Sequence, residues 1–229
     1  MPMTLTITKR DGTKVPFNAD RINKSIERAC FGIEDPISKV IQIATETRLT
    51  LYDGITTEEL DAATINAALQ NAQFGIEFDK IATRLLLKVI YKKVIGDYDN
   101  DESKVINPEE FAKLHSSHFK KYILDAIERG LLNAKMGTMF DLDDLGATLK
   151  IENDELYKYS GLSTMQNRYL MKNEKQAPLE TPQYFWMRVA MGMSLNEKNP
   201  TEWAKRFYDK MSKLEYLSAG SSNIGAGTP

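Results

Sequence analysis

Thr4-Leu5-Thr6-Ile7-Thr8-Lys9-Arg10-Asp11-Gly12-Thr13-Lys14-Val15-Pro16-Phe17-Asn18 is the stretch on which the fold turns. Residues 4–8 alternate polar and apolar side chains, several of them β-branched, which suits a half-buried strand. Asp11-Gly12 breaks the run because glycine accepts the positive φ of a tight turn, so residues 13–17 return as the second strand of a hairpin. Asn18 is a good N-cap, and Ile22, Ile26, Ala29 and Cys30 follow it at helical spacing. The spacing predicts a hairpin that feeds directly into a helix.

Outward from there, Val40, Ile41, Ile43, Ala44, Leu49 and Leu51 form a second amphipathic run that stops at the turn pair Asp53-Gly54. Thr56 with Glu59 three residues on is a capping box, opening a helix through Leu60, Ala63, Ala67 and Leu69. A fourth helix is expected from about Phe78 through Ile81, Leu85, Val89 and Ile90. Residues 1–96 therefore read as a hairpin plus four helices, a compact α+β module. The acidic stretch around Gly96–Ser103 reads as a linker, set at 97–107. Beyond it, Asn107-Pro108, Thr181-Pro182 and Asn199-Pro200 each pair a cap with proline at the first helical position. A helical domain is expected over 108–213, with helix starts near 108, 118, 141, 163, 182 and 200 and a short strand or extended turn at 169–176. Leu214–Leu217 reads as a strand. The Gly/Ser-rich residues 218–229 read either as a free tail or as part of a site completed from outside the chain.

The composition narrows the function. At 229 residues, 42% hydrophobic and 27% charged, the chain is ordinary globular protein of one to two domains. A net charge of −2 gives no global field to hold a polyanion such as DNA, so any anion must meet a local cluster. One cysteine and two histidines leave no internal disulfide and no multi-thiolate metal site, and a reducing cytoplasm is expected. The N-terminus lacks a signal-peptide pattern, and apolar runs such as Leu85–Leu87 fall far below the roughly 18 residues needed to span a bilayer.

The sharpest local feature is Lys9-Arg10-Asp11-Gly12 at the hairpin tip. Two adjacent cations beside a turn with free backbone N–H groups make an anion socket, as a triphosphate requires. Arg21, Lys24, Lys92 and Lys93 add positive charge in the same module. The acidic pairs Asp143-Asp144 and Glu58-Glu59 read as solvated faces, His115 and His118 as surface residues of one helix, and Cys30 as a small core residue. Ser116, Ser160 and Ser163 lack a nucleophile motif. No catalytic residue and no metal ligand is assigned. Tyr184–Met193 reads as a buried helix in which Arg188 needs a carboxylate or carbonyl partner.

Two blocks carry a resemblance. Ile7-Thr8-Lys9-Arg10-Asp11-Gly12, Val15-Pro16-Phe17-Asn18, Arg21-Ile22, Tyr52-Asp53-Gly54-Ile55-Thr56-Thr57, Ala82-Thr83-Arg84-Leu85 and Tyr91-Lys92-Lys93 together resemble the ATP-cone domain. Tyr159–Ser163, Arg168–Lys172, Glu180-Thr181-Pro182-Gln183 and Trp186-Met187-Arg188-Val189-Ala190 resemble the N-terminal helical domain of the class I ribonucleotide reductase large subunit. The resemblance implies an allosteric site for ATP or dATP, with Mg accompanying the nucleotide, at Ile7, Lys9, Arg10, Asn18, Arg21, Thr57 and Lys92. Arg21 stands where lysine is usual, and Asp61 where many members have histidine. It also implies that residues 214–229 are the strand and loop entering a ten-stranded α/β barrel, with Ser221 or Ser222 touching a substrate diphosphate. The family's catalytic cysteines are missing from this chain. The implied partners are a second chain carrying the barrel and a radical-generating small subunit, in a hetero-oligomer of the split, phage-like kind without nucleic acid or membrane. No cofactor for chemistry is held on the chain itself. The alternatives are a free-standing nucleotide sensor and a degenerate cone with only a structural role.

Overall fold

The computed structural model describes residues 5–96, 98 and 107–229. Apart from Tyr98 and Asn107, the expected linker at 97–107 lies outside the described residues. Contacts divide the chain into two units, Met1–Val89 with Lys158–Leu162, and Ile90–Tyr157 with Ser163–Pro229.

In the first unit β1 (Thr6–Thr8) and β2 (Lys14–Pro16) pair antiparallel, with Ile7 opposite Val15. Gly12 sits at φ +84° in the turn, the left-handed conformation for which glycine is the default residue. Helix α1 (Ala19–Ala29) starts where expected, the Asn18 side chain accepting from Asp20 N–H. Helix α2 spans Pro36–Leu49. One element had no signal in the sequence: β3, only Ile55–Thr56, pairs parallel with β1 and makes the sheet order β2-β1-β3. It runs straight into α3 (Thr57–Gln70), whose capping box is complete. Helix α4 spans Glu77–Val94. Ile26, Ile43, Ile55 and Ile81, one from each of α1, α2, β3 and α4, are fully buried and form the centre of this core with Leu60 and Ala68 of α3. Cys30 belongs to it, and burial pushes its thiol pKa up.

The second unit contains helices α5 (Pro108–Glu128), α6 (Lys135–Thr138), α7 (Leu142–Thr148), α9 (Pro182–Ser194), α10 (Pro200–Ser212) and α11 (Gly220–Gly225). Helix α8 (Tyr159–Arg168) begins four residues before the expected start near 163. The separate start expected near 118 does not exist. His115, Phe119, Tyr122, Ile123 and Ala126 keep one buried face through that position, so α5 is a single helix. Residues 182–191 of α9 are buried all round, the polar Gln183 and Arg188 among them. The chain around 169–176 is an extended turn, closed by Asn173 N–H to Ala177 O and Leu179 N–H to Met171 O.

The end of the chain departs from expectation. Leu214–Leu217 forms no strand, and residues 220–225 form a short helix instead. A strand needs a neighbour to satisfy its ladder, and no described segment offers this one an edge. Nor is the segment a free tail, because Ala226 and Gly227 are seated on α9 and on the turn before α6.

Candidate functional site

The hairpin tip is held by its own side chains. Asp11 Oδ1 accepts from Thr13 Oγ1 at 2.6 Å and Thr13 N–H at 2.9 Å. Those two bonds hold its carboxyl below the usual carboxylate range. Lys9 N–H donates to Thr13 O, and Gly12 N–H to Lys9 O. Three amides of the turn are thus spent internally, which corrects the expectation of a socket built on free backbone donors. What the tip presents is charge, since Lys9 and Arg10 are both exposed.

The sheet register fixes what lies near that tip. β1 and β3 are parallel, so both end at the same edge, where Lys9-Arg10 follow β1 and Thr57 follows β3. Thr57 Oγ1 reaches the Thr8 carbonyl at 3.4 Å, and Thr8 Oγ1 donates to Gly54 O at 2.9 Å. Ile7 is the centre of the middle strand, paired with Val15 on one side and Ile55 on the other. Asn18 and Arg21 enter at the opposite end of the strand pair, about 10 Å away over three residues of strand. Asn18 caps α1, and Arg21 is exposed on its first turn. Lys92 lies half-exposed on the last turn of α4, assigned to the second unit.

Asp53 is a tie that no local pattern announces. Its Oδ1 accepts from Thr6 Oγ1 at 2.7 Å and Thr6 N–H at 2.8 Å, which lowers its pKa. The bond spans 47 residues, and only Asp53-Gly54 as a turn was legible. At the other side of β3, Glu59 accepts from Thr56 N–H at 2.9 Å and from the Thr56 hydroxyl at 2.7 Å. The first turn of α3, with Glu58 and Glu59, therefore already has its negative complement.

The second unit holds a buried polar cluster. Arg188 donates through Nε and Nη2 to the two carboxylate oxygens of Glu180, both at 2.9 Å, supplying the partner that sequence demanded. Tyr122 donates to Glu180 Oε2, and Met171 N–H to Oε1 at 2.8 Å. Burial disfavours the guanidinium charge, yet Glu180 and Tyr122 outweigh it and raise the Arg188 pKa. Asp154 is also buried, accepting from Gln183 Nε2 at 2.6 Å and from the Tyr91 hydroxyl. Burial pushes its carboxyl up to about 7. His115 is not a surface residue: it is 1% exposed, its Nε2 lies 2.9 Å from Thr181 Oγ1, and burial pushes it down to about 3. Ser221 and Ser222 are exposed on α11. Among the described residues no three His, Cys, Asp or Glu side chains gather as a metal site, and no helix is long and apolar enough to cross a membrane.

Comparison with known proteins gives the same two blocks. Residues 5–99 match the ATP cone domain, and residues 155–229 match the ribonucleotide reductase all-alpha domain. The chain is 32% identical to the ribonucleoside-diphosphate reductase subunit alpha of Chlamydia trachomatis over 96% of its length and 20% of that protein. It is 30% identical to the Helicobacter pylori subunit alpha over 98% of this chain and 26% of the relative. The Danio rerio large subunit is 26% identical over 97% of the chain and 26% of its own length. The chain thus spans about a fifth to a quarter of the relatives it matches.

Proposed function

Because the chain belongs to the N-terminal region of the ribonucleotide reductase large-subunit family, we propose that it supplies an overall-activity site, binding ATP or dATP in the hairpin module. The observation that carries this reading is the shared edge of β1 and β3, where two exposed cations and the Thr57 hydroxyl meet. Lys9 and Arg10 neutralise phosphate oxygens; Arg21 and Lys92 enter the reading as further cations through the family resemblance, not through a placement beside them. The acidic first turn of α3 repels phosphate, so that side of the edge takes the base, with Thr57 as its hydrogen-bonding group beside Ile7. Asn18 fixes the start of α1 from which Arg21 projects. Mg2+ entering with the nucleotide is carried by phosphate oxygens and water, its usual ligands.

The finer reading is that the chain completes a catalytic barrel held on a second chain, which brings the cysteines and works with a radical-generating small subunit. Reduction needs a thiyl radical and two further thiols, the groups that the barrel would bring. Ser221 and Ser222 then face the substrate diphosphate. Co-expression with a barrel chain, followed by CDP reduction with a small subunit, tests this, and absence of both complex and activity overturns it.

Calorimetric titration with ATP and dATP tests the nucleotide site. We expect saturable binding, weakened about tenfold or more in Arg10→Ala and in Lys92→Ala, the size of a lost charge-assisted contact. The amides spent inside the turn favour one second reading, a cone that no longer binds and serves as structure. No binding by a folded parent chain would decide for it.

A further inference from the structure

The closing segment of the chain is held in place by groups that no catalytic or nucleotide-binding role uses. Arg188 Nη1 donates to Ala226 O at 2.8 Å, and Nη1 and Nη2 both lie 3.4 Å from Asn223 O, while Nε and Nη2 hold the Glu180 carboxylate. Asn133 N–H donates to Gly227 O at 2.9 Å. Gly192 of α9 lies so close to this backbone that a Cβ there would sit 2.4 Å from Gly227 N and 2.7 Å from the Ala226 carbonyl carbon. Gly227 itself is at φ +79°, with Met136 against it. A buried ion pair is seldom retained for stability alone, since an apolar pair of equal volume often does as well or better. Here the guanidinium does something an apolar side chain cannot do, which is to donate to two carbonyls of a segment with no ladder of its own.

We infer that Arg188, oriented by Glu180, is a positioning residue for residues 218–228, setting the place from which α11 presents Ser221 and Ser222. Glu180 fixes the plane of the guanidinium through both oxygens, so the remaining donors point one way only. Tyr122 and Met171 N–H fix Glu180 in turn. Within the segment, Asn223 Nδ2 donates to Ser218 O at 3.3 Å and Asn223 N–H to Ala219 O at 3.0 Å, closing it into a unit that the Arg188 bonds anchor at one end. The use of this placement for a diphosphate rests on the function proposed above; the placement itself does not.

Amide hydrogen exchange on the full chain tests it, followed at the Asn223, Ala226 and Thr228 amides, all hydrogen-bonded within the segment. Three variants separate the causes. Arg188→Lys keeps a cation beside Glu180 but loses the fork. The double variant Glu180→Gln with Arg188→Met removes the buried charges together and preserves the volume. Gly192→Ala leaves the ion pair intact and pushes the segment away, while alanine suits the helix better than glycine. Exchange at the three amides is expected to rise at least about tenfold in all three variants, the effect of losing hydrogen bonds to a charged donor. The α5 and α10 amides of Gly192→Ala are expected to stay at parent values. Parent-level protection in both Arg188 variants would overturn the inference, as would loss that only tracks global destabilisation. Failure of the diphosphate reading would show instead as unimpaired CDP reduction by a Ser221→Ala, Ser222→Ala chain with its partners, leaving the exchange result untouched.

Discussion

Asp154 and His115 are buried in the same unit, and burial moves them in opposite directions. Asp154 titrates near 7 in the fold against 3.8 in the open chain, so the native state holds the extra proton and stability falls as pH rises from about 4 to 7. His115 titrates near 3 against 6.5, so the unfolded state holds the extra proton and stability falls as pH drops below about 6.5. Between pH 4 and 6.5 the two slopes oppose, each worth a few kcal/mol. Asp154→Asn is therefore expected to unmask the histidine, with a urea midpoint that falls from pH 6.5 to 4.5 where the parent's is nearly level. His115→Gln should show the reverse slope, losing stability from pH 4.5 to 7. The residues also mark where sequence reading stops. His115 could have been placed in the core from Phe111 and Phe119, which flank it at i−4 and i+4 on one face. Asp154 had no such sign, because its partners Tyr91 and Gln183 lie 63 and 29 residues away.

Elements whose ends are set by local chemistry were legible. The Asn18 cap, the Thr56–Glu59 box, the cap-proline pairs at 107 and 181, and Pro200 after an Asn199 whose side chain makes no cap bond each locate a helix start from a few residues. Thr56→Ala removes the hydroxyl half of the capping box, the acceptor of Glu59 N–H, and leaves the backbone N–H bond to the Glu59 carboxylate; it is expected to cost about 1 kcal/mol, read as a lower denaturant midpoint for the first unit. Elements that exist only through distant pairing were not legible, and β3 is the clear case. Two residues carry no periodicity, and the strand forms because Ile7 is there to receive Ile55. Helix α7 depends on a close approach of the same kind. A Cβ on Gly146 would lie 2.8 Å from the Ser116 carbonyl oxygen of α5. Gly146→Ala is accordingly expected to destabilise by about 1–3 kcal/mol in chemical denaturation, despite alanine's better helix propensity.

At the scale of the whole chain, 30 basic and 32 acidic side chains leave no long-range field, so the proposed effector site has to draw on a local cluster of cations. Raising salt from about 0.05 to 0.5 M is expected to weaken dATP binding, and to weaken it less in Arg10→Ala, as titrations at the two salts would show. Order along the chain and helical class were readable because capping and periodicity repeat in both halves. The closing segment reads poorly from sequence because several of its contacts, to Arg188, Asn133 and Gly192, lie far away along the chain and leave no local pattern. Thr56 carries a different kind of consequence. It is the last residue of β3 and also the N-cap of α3, so strand and helix meet with no connecting loop. A single inserted residue there would rotate the helix by about 100° or turn the strand over, and no slack exists to absorb it. In a library of random insertions this junction should be the most sharply depleted position of the first unit, while the Gly12 turn accepts added length.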